Sequence, residues 1–375
     1  MAKPHGRAVQ IKRIVARSIM YVALAAIGVS MIVPFLWMVS TSLKDLGDVF
    51  QAPPTSLKGI LKTFIPTKIV AHVDGKDVEV DAILQEMDGK TKARLTSEEG
   101  QPGTEAVVPS AAVQRVVSLR WRNYADVLDS KKTGISFARA YLNSLIVAVM
   151  VTLGQVVTSS MAAYAFARLK FPLRDKLFLG YLATMMIPGA VTMIPVFIIL
   201  RFMPEILNAA FSPAARWWSS DLYLFGRWFV GRPVGVDSYF ALIVPGFFSA
   251  YGTFLLRQFF MGLPEELEDA AKIDGCSLFG IYWRITLPLS RPALATLAIL
   301  TFMGNWRGLM WPMVVTHTKD LFTLPVALTS FQGLYDTEWT LLMAAAVMAL
   351  LPVILVYVVM QKQFVEGIRL GAVKG

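Results

Sequence analysis

The stretch GLPEELEDAAKIDGCSLFGIYWRITLPLSRP, residues 262–292, is charged and regularly spaced, yet it lies between two long apolar segments. Pro264 suits the first position of a helix, where its missing N–H costs nothing, and the acidic residues after it favour the positive end of the helix dipole. Gly275 is a natural C-terminal stop, and we expect it to adopt a backbone conformation that a side chain disfavours. The stretch therefore predicts a short amphipathic helix, in which Ala270 and Ala271 share the apolar face, followed by a second amphipathic turn.

The composition is typical of a membrane protein rather than of a soluble domain. Of the 375 residues, 55% are hydrophobic, and the mean hydropathy is +0.55, which predicts several membrane spans. The net charge is +10, but the basic residues flank apolar segments, so we attribute it to membrane topology and expect no nucleic-acid partner. A single cysteine, Cys276, excludes an internal disulfide. The sequence lacks the phosphate-binding pattern G-x-x-x-x-G-K-[ST], so we expect that the chain does not itself bind ATP.

Six apolar segments are long enough to cross a bilayer core of about 30 Å as helices. They lie at residues 19–42, 140–167, 177–200, 238–256, 293–315 and 339–360. The segments 1–18 and 361–375 are basic, so both termini are expected in the cytoplasm, and the charged loop 262–292 then falls on the same side. The predicted fold class is an all-α polytopic membrane protein that crosses the membrane six times.

Three polar segments are expected on the outer side of the membrane. The first, residues 43–139, contains a small, mostly β insertion at about 55–118, and Asp74-Gly75 predicts a hairpin within it. The second, residues 201–237, is rich in aromatic residues and is interpreted as an interfacial belt. The third is the loop 316–338.

Fixed spacings in the charged loop resemble a known motif. Asp269-Ala270-Ala271 is followed at the expected intervals by Gly275, by Ile285 and by Leu287-Pro288. This pattern resembles the EAA loop of the membrane subunits of bacterial binding-protein-dependent ABC importers, with Asp269 in place of the usual Glu. The resemblance implies the six-helix permease fold of that family.

Further landmarks are similar to the carbohydrate type of this family, and in particular to the shorter membrane subunit of the maltose importer. They are Asn123-Tyr124, Tyr141-Leu-Asn143-Ser144, Thr323-Leu-Pro325-Val326, Ser330-Phe331-Gln332-Gly333 and the tail Gly371-Ala-Val-Lys-Gly375. The insertions at 55–118 and 205–237 have no counterpart in the resemblance. The implied function is a non-catalytic permease subunit that forms half of a translocation pathway for a sugar or oligosaccharide.

Besides the lipid bilayer, the resemblance implies three protein partners: a second permease subunit, a pair of ATP-binding subunits and an external solute-binding protein. No cofactor or metal is expected in this chain, because the partner subunits would bind the ATP. The charged loop would dock on an ATPase subunit and couple ATP hydrolysis to transport, and we expect Ala271 to lie against that subunit. The residues assigned to this coupling are Glu268, Asp269, Ala270, Ala271, Asp274, Gly275, Ile285, Leu287 and Pro288.

Two further groups of residues are candidates for function. In the last external loop, a compact turn predicts a probe for the binding protein, formed by Phe331, Gln332, Gly333 and Tyr335; the alternative is a loop packed on its own subunit. In the fifth span, Arg307 and Asn305 are candidates for the pathway, because a charge within a membrane segment usually faces a cavity or an acidic partner. Relatives have Asn-Asp where this chain has Arg307-Gly308. The alternative for Arg307 is snorkelling of its side chain to the outer headgroups.

Other functions remain open at this stage. The same machinery can import a polyol, a phosphodiester or a peptide. An ATP-independent secondary transporter is a competing class, although such proteins often show inverted repeats, and we find no convincing repeat here. A membrane-anchored interaction protein that acts through the insertion is a third reading.

Overall fold

The structure is a computed structural model that describes residues 5–45, 49, 63–73, 76–87, 90–95, 105–109, 112–129, 134–211, 218, 222–224, 229–332 and 337–372. The chain divides into two compact units. The first consists of residues 1–127 and 331–348, and the second of residues 128–330 and 349–375.

The first unit combines a long helix with a small antiparallel sheet. Its elements are α1 (His5–Ser42), β1 (Thr67–Val73), β2 (Lys76–Met87), β3 (Lys90–Leu95), β4 (Glu105–Pro109), β5 (Val113–Val117) and α2 (Arg122–Leu128). The strands pair in the order β4-β3-β2-β1-β5. Val73 pairs with Lys76, so two residues connect β1 to β2, as the hairpin prediction requires. The expected β insertion is therefore present, and its described strands lie between Thr67 and Val117. The first part of the predicted range, residues 55–62, lies outside the described residues.

The segment after the insertion is fastened to the end of α1. Asn123 is buried, and its side-chain amide donates hydrogen bonds of 2.9 Å to the carbonyl oxygens of Ser42 and Lys44. The Tyr124 hydroxyl lies 2.7 Å from the hydroxyl of Ser42. The last carbonyl groups of a helix have no partner within the helix, and the Asn123 amide supplies one to the carbonyl oxygen of Ser42, the last residue of α1. The Asn123-Tyr124 landmark therefore has a structural role at a helix terminus.

The second unit is a set of helices. Its elements are α3 (Phe137–Arg168), α4 (Arg174–Ala183), α5 (Gly189–Phe211), the strands β6 (Leu222–Leu224) and β7 (Phe229–Gly231), α6 (Tyr239–Ile243), α7 (Ala250–Met261), α8 (Glu266–Ile273), α9 (Leu278–Ile281), a π-helical turn (Tyr282–Thr286), α10 (Leu287–Leu289), α11 (Arg291–Trp306), α12 (Met310–Val315) and α13 (Leu324–Thr329). Short 3₁₀ segments lie at Thr184–Met186, Val244–Phe247 and Lys319–Leu321. The last helix, α14 (Trp339–Ala372), begins in the first unit and ends in the second.

Helix α3 is the centre of the second unit. Its N-terminal half contributes Val147 and Val151 to a buried cluster with residues of α5, α6 and α12. Its C-terminal half contributes Ala163 and Tyr164 to a second cluster with residues of α7 and α11. Gly154 permits close packing, because a Cβ atom there would lie 2.2 Å from the ring of Phe247. One helix therefore runs through both apolar cores of the unit.

The helices are long and apolar enough for the predicted membrane spans. In the described part of the chain, five helical segments qualify by length and composition: Arg13–Ser42, Phe137–Arg168, Gly189–Phe211, Tyr239–Met261 and Trp339–Gln361. A sixth candidate is the pair Leu278–Leu289 and Arg291–Trp306, which is bent by 77°. The predicted fold class, a mostly helical polytopic protein with a small β insertion, is confirmed.

Two predicted spans differ from the structure. The third was expected at 177–200 with a break at Pro188-Gly189, and that break is present, because α4 ends at Ala183 and α5 begins at Gly189. The difference lies at the other end, where α5 continues to Phe211, beyond the predicted end at residue 200. Pro188 stops the first helix, and the apolar sequence after Arg201 continues the second. The fifth span was expected to be continuous over 293–315, but the helix ends at Trp306 and resumes at Met310.

Candidate functional site

The coupling helix α8 has the predicted C-terminal glycine. Gly275 has φ of +78°, in the left-handed region where a side chain is disfavoured. The Cys276 N–H donates to the Ala271 carbonyl oxygen at 2.9 Å, which is the outer hydrogen bond of a Schellman motif. At the other end, the helix begins at Glu266 rather than at Pro264. The predicted helix and its stop are therefore present, with a later start.

The predicted faces of α8 are wrong in one respect. Glu268 and Ala271 are buried against the chain itself, whereas Asp269 and Ala270 are exposed. Ala271, which is 6% exposed in this subunit, does not form the surface that we expected to contact an ATPase. The outward alanine is Ala270. The sequence did not predict that Glu268 lies on the buried face of α8, because the residue it pairs with is distant in sequence.

That partner is Arg168, the last residue of α3. Its Nε atom lies 3.1 Å from Glu268 Oε1, and both side chains are buried, with 4% and 10% of their surfaces exposed. The guanidinium group also donates hydrogen bonds of 2.6 Å to the carbonyl oxygens of Phe260 and Leu263. A buried charge requires such partners. Arg168 therefore fixes the end of α7 and the inner face of α8 to the end of α3.

The outer face of α8 is acidic and solvated. Asp269 pairs with Lys272 at 2.9 Å, one helical turn away. The hydrogen bond from Lys272 lowers the pKa of the Asp269 carboxyl below its usual value, and the same bond raises the pKa of Lys272. Asp274 at the helix end is exposed as well. Asp269, Ala270 and Asp274 are therefore exposed on the surface of the chain.

The second half of the loop combines buried and exposed aromatic residues. Tyr282 is buried, and its hydroxyl lies 2.7 Å from that of Ser160 on α3. Ile285 is half-buried, whereas Phe279 and Trp283 are exposed by 66% and 61% and stack with ring centroids 6.3 Å apart. The helix is π-helical at 282–286, a geometry that is often found at functional sites. The exposed aromatic pair was not identified from the sequence.

The Leu287-Pro288 end of the motif leads into α11. Leu287 is half-buried and packs against the apolar cluster that contains Ala163 and Tyr164, whereas Pro288 is exposed. Ile273, the last residue of α8, is 87% exposed. The loop therefore presents apolar as well as acidic groups on its surface.

At the opposite end of α3, a buried asparagine holds the external loop. The Asn143 side-chain amide donates hydrogen bonds of 2.9 Å to the carbonyl oxygens of Asp320 and Phe322. Its carbonyl oxygen accepts a hydrogen bond of 2.6 Å from the Tyr239 hydroxyl. Both N–H donors of this side chain and one of the two lone pairs of its carbonyl oxygen are therefore used. The neighbouring Ser144 hydroxyl accepts a hydrogen bond of 2.7 Å from the Leu324 N–H.

Two charged residues reinforce the same loop. Arg139 on α3 pairs with Asp320 at 2.7 Å. Asp237 accepts hydrogen bonds from the backbone N–H groups of His317 and Thr318, at 2.8 and 3.0 Å, and from the Thr318 hydroxyl. Burial by itself raises the pKa of the Asp237 carboxyl, but these hydrogen bonds outweigh that effect and lower the pKa below its usual value. The start of the loop is therefore tied both to α3 and to the segment before α6.

The predicted probe for a binding protein is only partly described. Phe331 is 5% exposed and is packed within the chain, so it anchors the turn and does not project from it. Gln332 is exposed and forms a β-bridge with Thr337. Gly333 and Tyr335 lie outside the described residues. The prediction that Phe331 contacts a partner is not supported by this burial.

The pathway candidates lie at the break between α11 and α12. Arg307 is exposed, and its Nε–H donates to the Met303 carbonyl oxygen at 3.3 Å. In the described part of the chain, no carboxylate is within ion-pair distance of it. Gly304, one turn earlier, is also exposed, with open space where a Cβ would be. Asn305 is half-buried and donates to the Thr301 carbonyl oxygen at 2.8 Å, so its amide nitrogen is engaged within its own helix.

Comparisons with known proteins agree with this architecture. Arabinooligosaccharides transport system permease protein AraQ of Bacillus subtilis (strain 168) is 33% identical over 242 residues, which cover 64% of this chain and 75% of that protein. sn-Glycerol-3-phosphate transport system permease protein UgpE of Yersinia pestis is 32% identical over 252 residues, covering 66% and 79%. A chain of a bacterial ABC transporter involved in the import of the acidic polysaccharide alginate superposes with a TM-score of 0.62 at 20% identity. That superposition covers 97% of this chain and 99% of the other, and it supports the fold.

The match at the family level contains the coupling loop. The profile of the family described as binding-protein-dependent transport system inner membrane component matches residues 155–370. This range is more than half of the chain, and it includes α8, Gly275 and the break at Arg307. The chain therefore belongs to the family of inner membrane components of binding-protein-dependent transport systems.

Proposed function

We propose that this protein is one of two permease subunits of an ATP-driven importer for a saccharide. The family membership supports the importer, and the name of the relative AraQ supports an oligosaccharide as the solute. The name of UgpE keeps a phosphorylated polyol as the second candidate. Both termini lie in the cytoplasm in this proposal, because residues 1–18 are basic without an acid.

The observation that carries the proposal is the outer face of α8. Asp269, Ala270 and Asp274 are exposed, while Arg168 holds the opposite face against the permease. One face of this helix is packed against the permease, and the other exposes charged residues around a small one. Such a helix is suited to binding in a cleft on a partner protein. We assign that cleft to an ATP-binding subunit, which would bind the nucleotide and transmit its closure to the permease.

The external side would receive the solute-binding protein. The loop from Thr316 to Ser330 is held rigidly by α3, and the turn that follows it exposes Gln332. A preorganised loop loses less conformational entropy when it binds. We propose that this loop contacts the loaded binding protein, and that ATP and the binding protein together favour the outward-open state.

The proposed docking face is tested by adding bulk at an outward position. Ala270→Trp places a large ring on the exposed face of α8 and should prevent co-purification of the ATPase subunit, because the close approach is lost. Ala210→Trp is the matched control, since Ala210 is an exposed alanine of α5 outside the loop. The control should retain both the ATPase subunit and the hydrolysis that the loaded binding protein stimulates. Normal co-purification and stimulation in Ala270→Trp contradicts the assignment of this face.

The solute class is tested separately. The cognate binding protein is melted in the presence of neutral oligosaccharides, acidic oligosaccharides, glycerol phosphodiesters and peptides. A rise in melting temperature with an oligosaccharide supports the proposal. A response to phosphodiesters or peptides alone assigns the same machinery to another solute.

A further inference from the structure

Helix α3 runs without a break between the two functional ends of the second unit. It extends from Phe137 to Arg168 and contains no proline. From Asn143 to Arg168 the rise is roughly 38 Å at 1.5 Å per residue, more than the thickness of a bilayer core. One continuous helix therefore joins the side of the external loop to the side of the coupling loop.

The neighbouring helices of the unit are interrupted. The segment from α4 to α5 is broken at 184–188, and the helix from α6 to α7 is 3₁₀-helical at Val244–Phe247. The helix from α11 to α12 is open at 307–309. Breaks of this kind absorb displacement by local changes in backbone torsion, as hinges do. An unbroken helix transmits displacement along its axis instead.

Polar contacts fasten both ends of α3 to the adjoining loops. At the outer end, Asn143 and Ser144 bind three backbone groups of the external loop, namely the Asp320 and Phe322 carbonyls and the Leu324 N–H. These contacts are with the backbone, so they position the loop itself rather than one mobile side chain. The Tyr239 hydroxyl completes the cluster by donating to the Asn143 carbonyl oxygen.

At the inner end, one guanidinium group performs the equivalent task. Arg168 binds the carbonyl oxygens of Phe260 and Leu263 and pairs with the buried Glu268. These three acceptors flank the start of the coupling loop on both sides. The planar guanidinium fork reaches several acceptors at once, which a lysine ammonium on a flexible stem does not reproduce.

We infer that α3 is the rigid connector between the external loop and the coupling helix, and that Asn143 and Arg168 are the positioning residues at its two ends. The inference rests on the proposed function, because it concerns how a signal from the binding protein reaches the ATPase subunit. Neither residue contacts solute or nucleotide in this account. Each one keeps a loop in a fixed position on the same helix.

The first experiment compares two buried asparagines in the assembled transporter. Asn143→Ala removes two 2.9 Å hydrogen bonds to backbone carbonyls and so releases the external loop from α3. Asn123→Ala is the matched control, because it removes two hydrogen bonds of the same kind and length in the first unit. Both variants are purified with their ATPase subunits and titrated with loaded binding protein. We expect Asn143→Ala to reduce the maximal stimulation of ATP hydrolysis, measured at saturating binding protein, by about fivefold or more, with unchanged basal hydrolysis. A weaker affinity for the binding protein is also expected, because the released loop is less preorganised, but it does not lower the stimulation at saturation. Asn123→Ala should retain the stimulation.

A milder variant keeps the test decisive if Asn143→Ala does not assemble. Tyr239→Phe removes only the hydroxyl that donates to Asn143, and it should lower the maximal stimulation in the same direction by a smaller factor. A loss that disappears at saturating binding protein indicates a docking role and overturns the inference. Equal losses in Asn143→Ala and Asn123→Ala overturn it as well.

The second experiment asks whether the two ends of α3 act through one path. Arg168→Lys retains the charge but not the fork, and its stimulated-to-basal ratio is measured alone and together with Asn143→Ala. If α3 is a single connector, the double variant is no worse than the worse single variant, because the path is already interrupted. If the two losses multiply, the effects are local and independent, and the connector is refuted. Absence of stimulation in the unmodified complex would instead contradict the proposed function.

Discussion

Two arginines in apolar helices of this permease have opposite surroundings. Arg168 is buried and uses its charge on three acceptors that organise the coupling loop. Arg307 is exposed, and within the described residues it has one long hydrogen bond to its own helix and no acidic partner. The first pattern is that of a structural residue. The second is typical of a charge within a membrane segment that faces a cavity or the headgroups, since no described residue of the chain pairs with it.

The position of Arg307 favours the pathway. It shares an exposed helical face with Gly304 and lies next to an interruption of the helix, a geometry that transporters use where backbone lines a cavity. Asn305 belongs to another face of the same helix. An arginine fork at this place suits a carboxylate or phosphate on the solute.

Substitution of Arg307 distinguishes a role in the translocation pathway from snorkelling of the side chain to the lipid headgroups. Arg307→Leu should reduce uptake of an acidic solute by about tenfold or more, because the solute loses one charged hydrogen-bonding partner. Assembly and basal ATP hydrolysis should remain normal. Arg307→Lys should retain part of the uptake, since the charge remains. Arg201→Leu, in an exposed position of α5, is the control for loss of a membrane arginine. Uptake by Arg307→Leu at the rate of the unmodified permease leaves only snorkelling to the headgroups.

Among the secondary-structure elements, the sequence predicted those features that depend on one residue or on a few neighbouring residues. Gly275 was identified as a helix stop because a positive φ is a property of the residue itself. The β1–β2 hairpin followed from its turn residues. The inward face of α8 was not predictable in this way, because Glu268 is buried only through Arg168, which is 100 residues earlier in the chain.

The break at 307–309 and the burial of Phe331 have the same explanation. Apolar periodicity over 293–315 fits a continuous helix, and the interruption depends on how neighbouring helices pack. The sequence around Phe331 is typical of an exposed turn, yet the Phe331 side chain is buried within the chain. Sequence reasoning therefore predicted the helix of the charged loop and its glycine stop, but not the residues that hold the loop in place.

The loop before α6 offers an element-scale test of stability. Asp237 has φ of +58°, which Asp tolerates better than most residues, and its carboxylate receives hydrogen bonds from His317 and Thr318. Its folded-state pKa is lowered, so its stabilising contribution is complete above the usual Asp value and is lost as the pH falls through the folded value. Asp237→Asn keeps the tolerated backbone but removes the charge. We expect a loss of about 1 kcal/mol at pH 7, a low figure because the carboxylate is partly solvated.

This effect is measured by thermal melting of the purified permease in detergent between pH 7 and pH 3. The difference between the unmodified protein and Asp237→Asn should be greatest at neutral pH and should shrink below about pH 4. A difference that grows as the pH falls contradicts the assigned direction of the pKa shift.

At the scale of the whole molecule, the β insertion is a self-contained addition to the permease. β1 and β5 are paired, and Thr67 lies opposite Val117, so the chain enters and leaves the sheet at adjacent positions. Just beyond the sheet, the Ser118 N–H donates to the Pro66 carbonyl oxygen at 3.1 Å. The following segment has its own fastening to α1, through Arg120 with Asp45 and through Asn123 with Ser42. The sheet is therefore not needed to bring these ends together.

Replacement of residues 67–117 by a short Gly-Ser linker tests this independence. Opposite residues of an antiparallel pair are about 5 Å apart, so a few residues close the gap without strain. We expect the shortened permease to assemble with its ATPase subunits and to hydrolyse ATP at the basal rate. As a control, the same replacement is combined with Asn123→Ala, which removes the fastening to α1 and should impair assembly. If the replacement alone prevents assembly, the insertion is an integral part of the membrane body. If assembly survives but stimulation by the binding protein is lost, the sheet acts on the external side, and its role is recognition rather than folding.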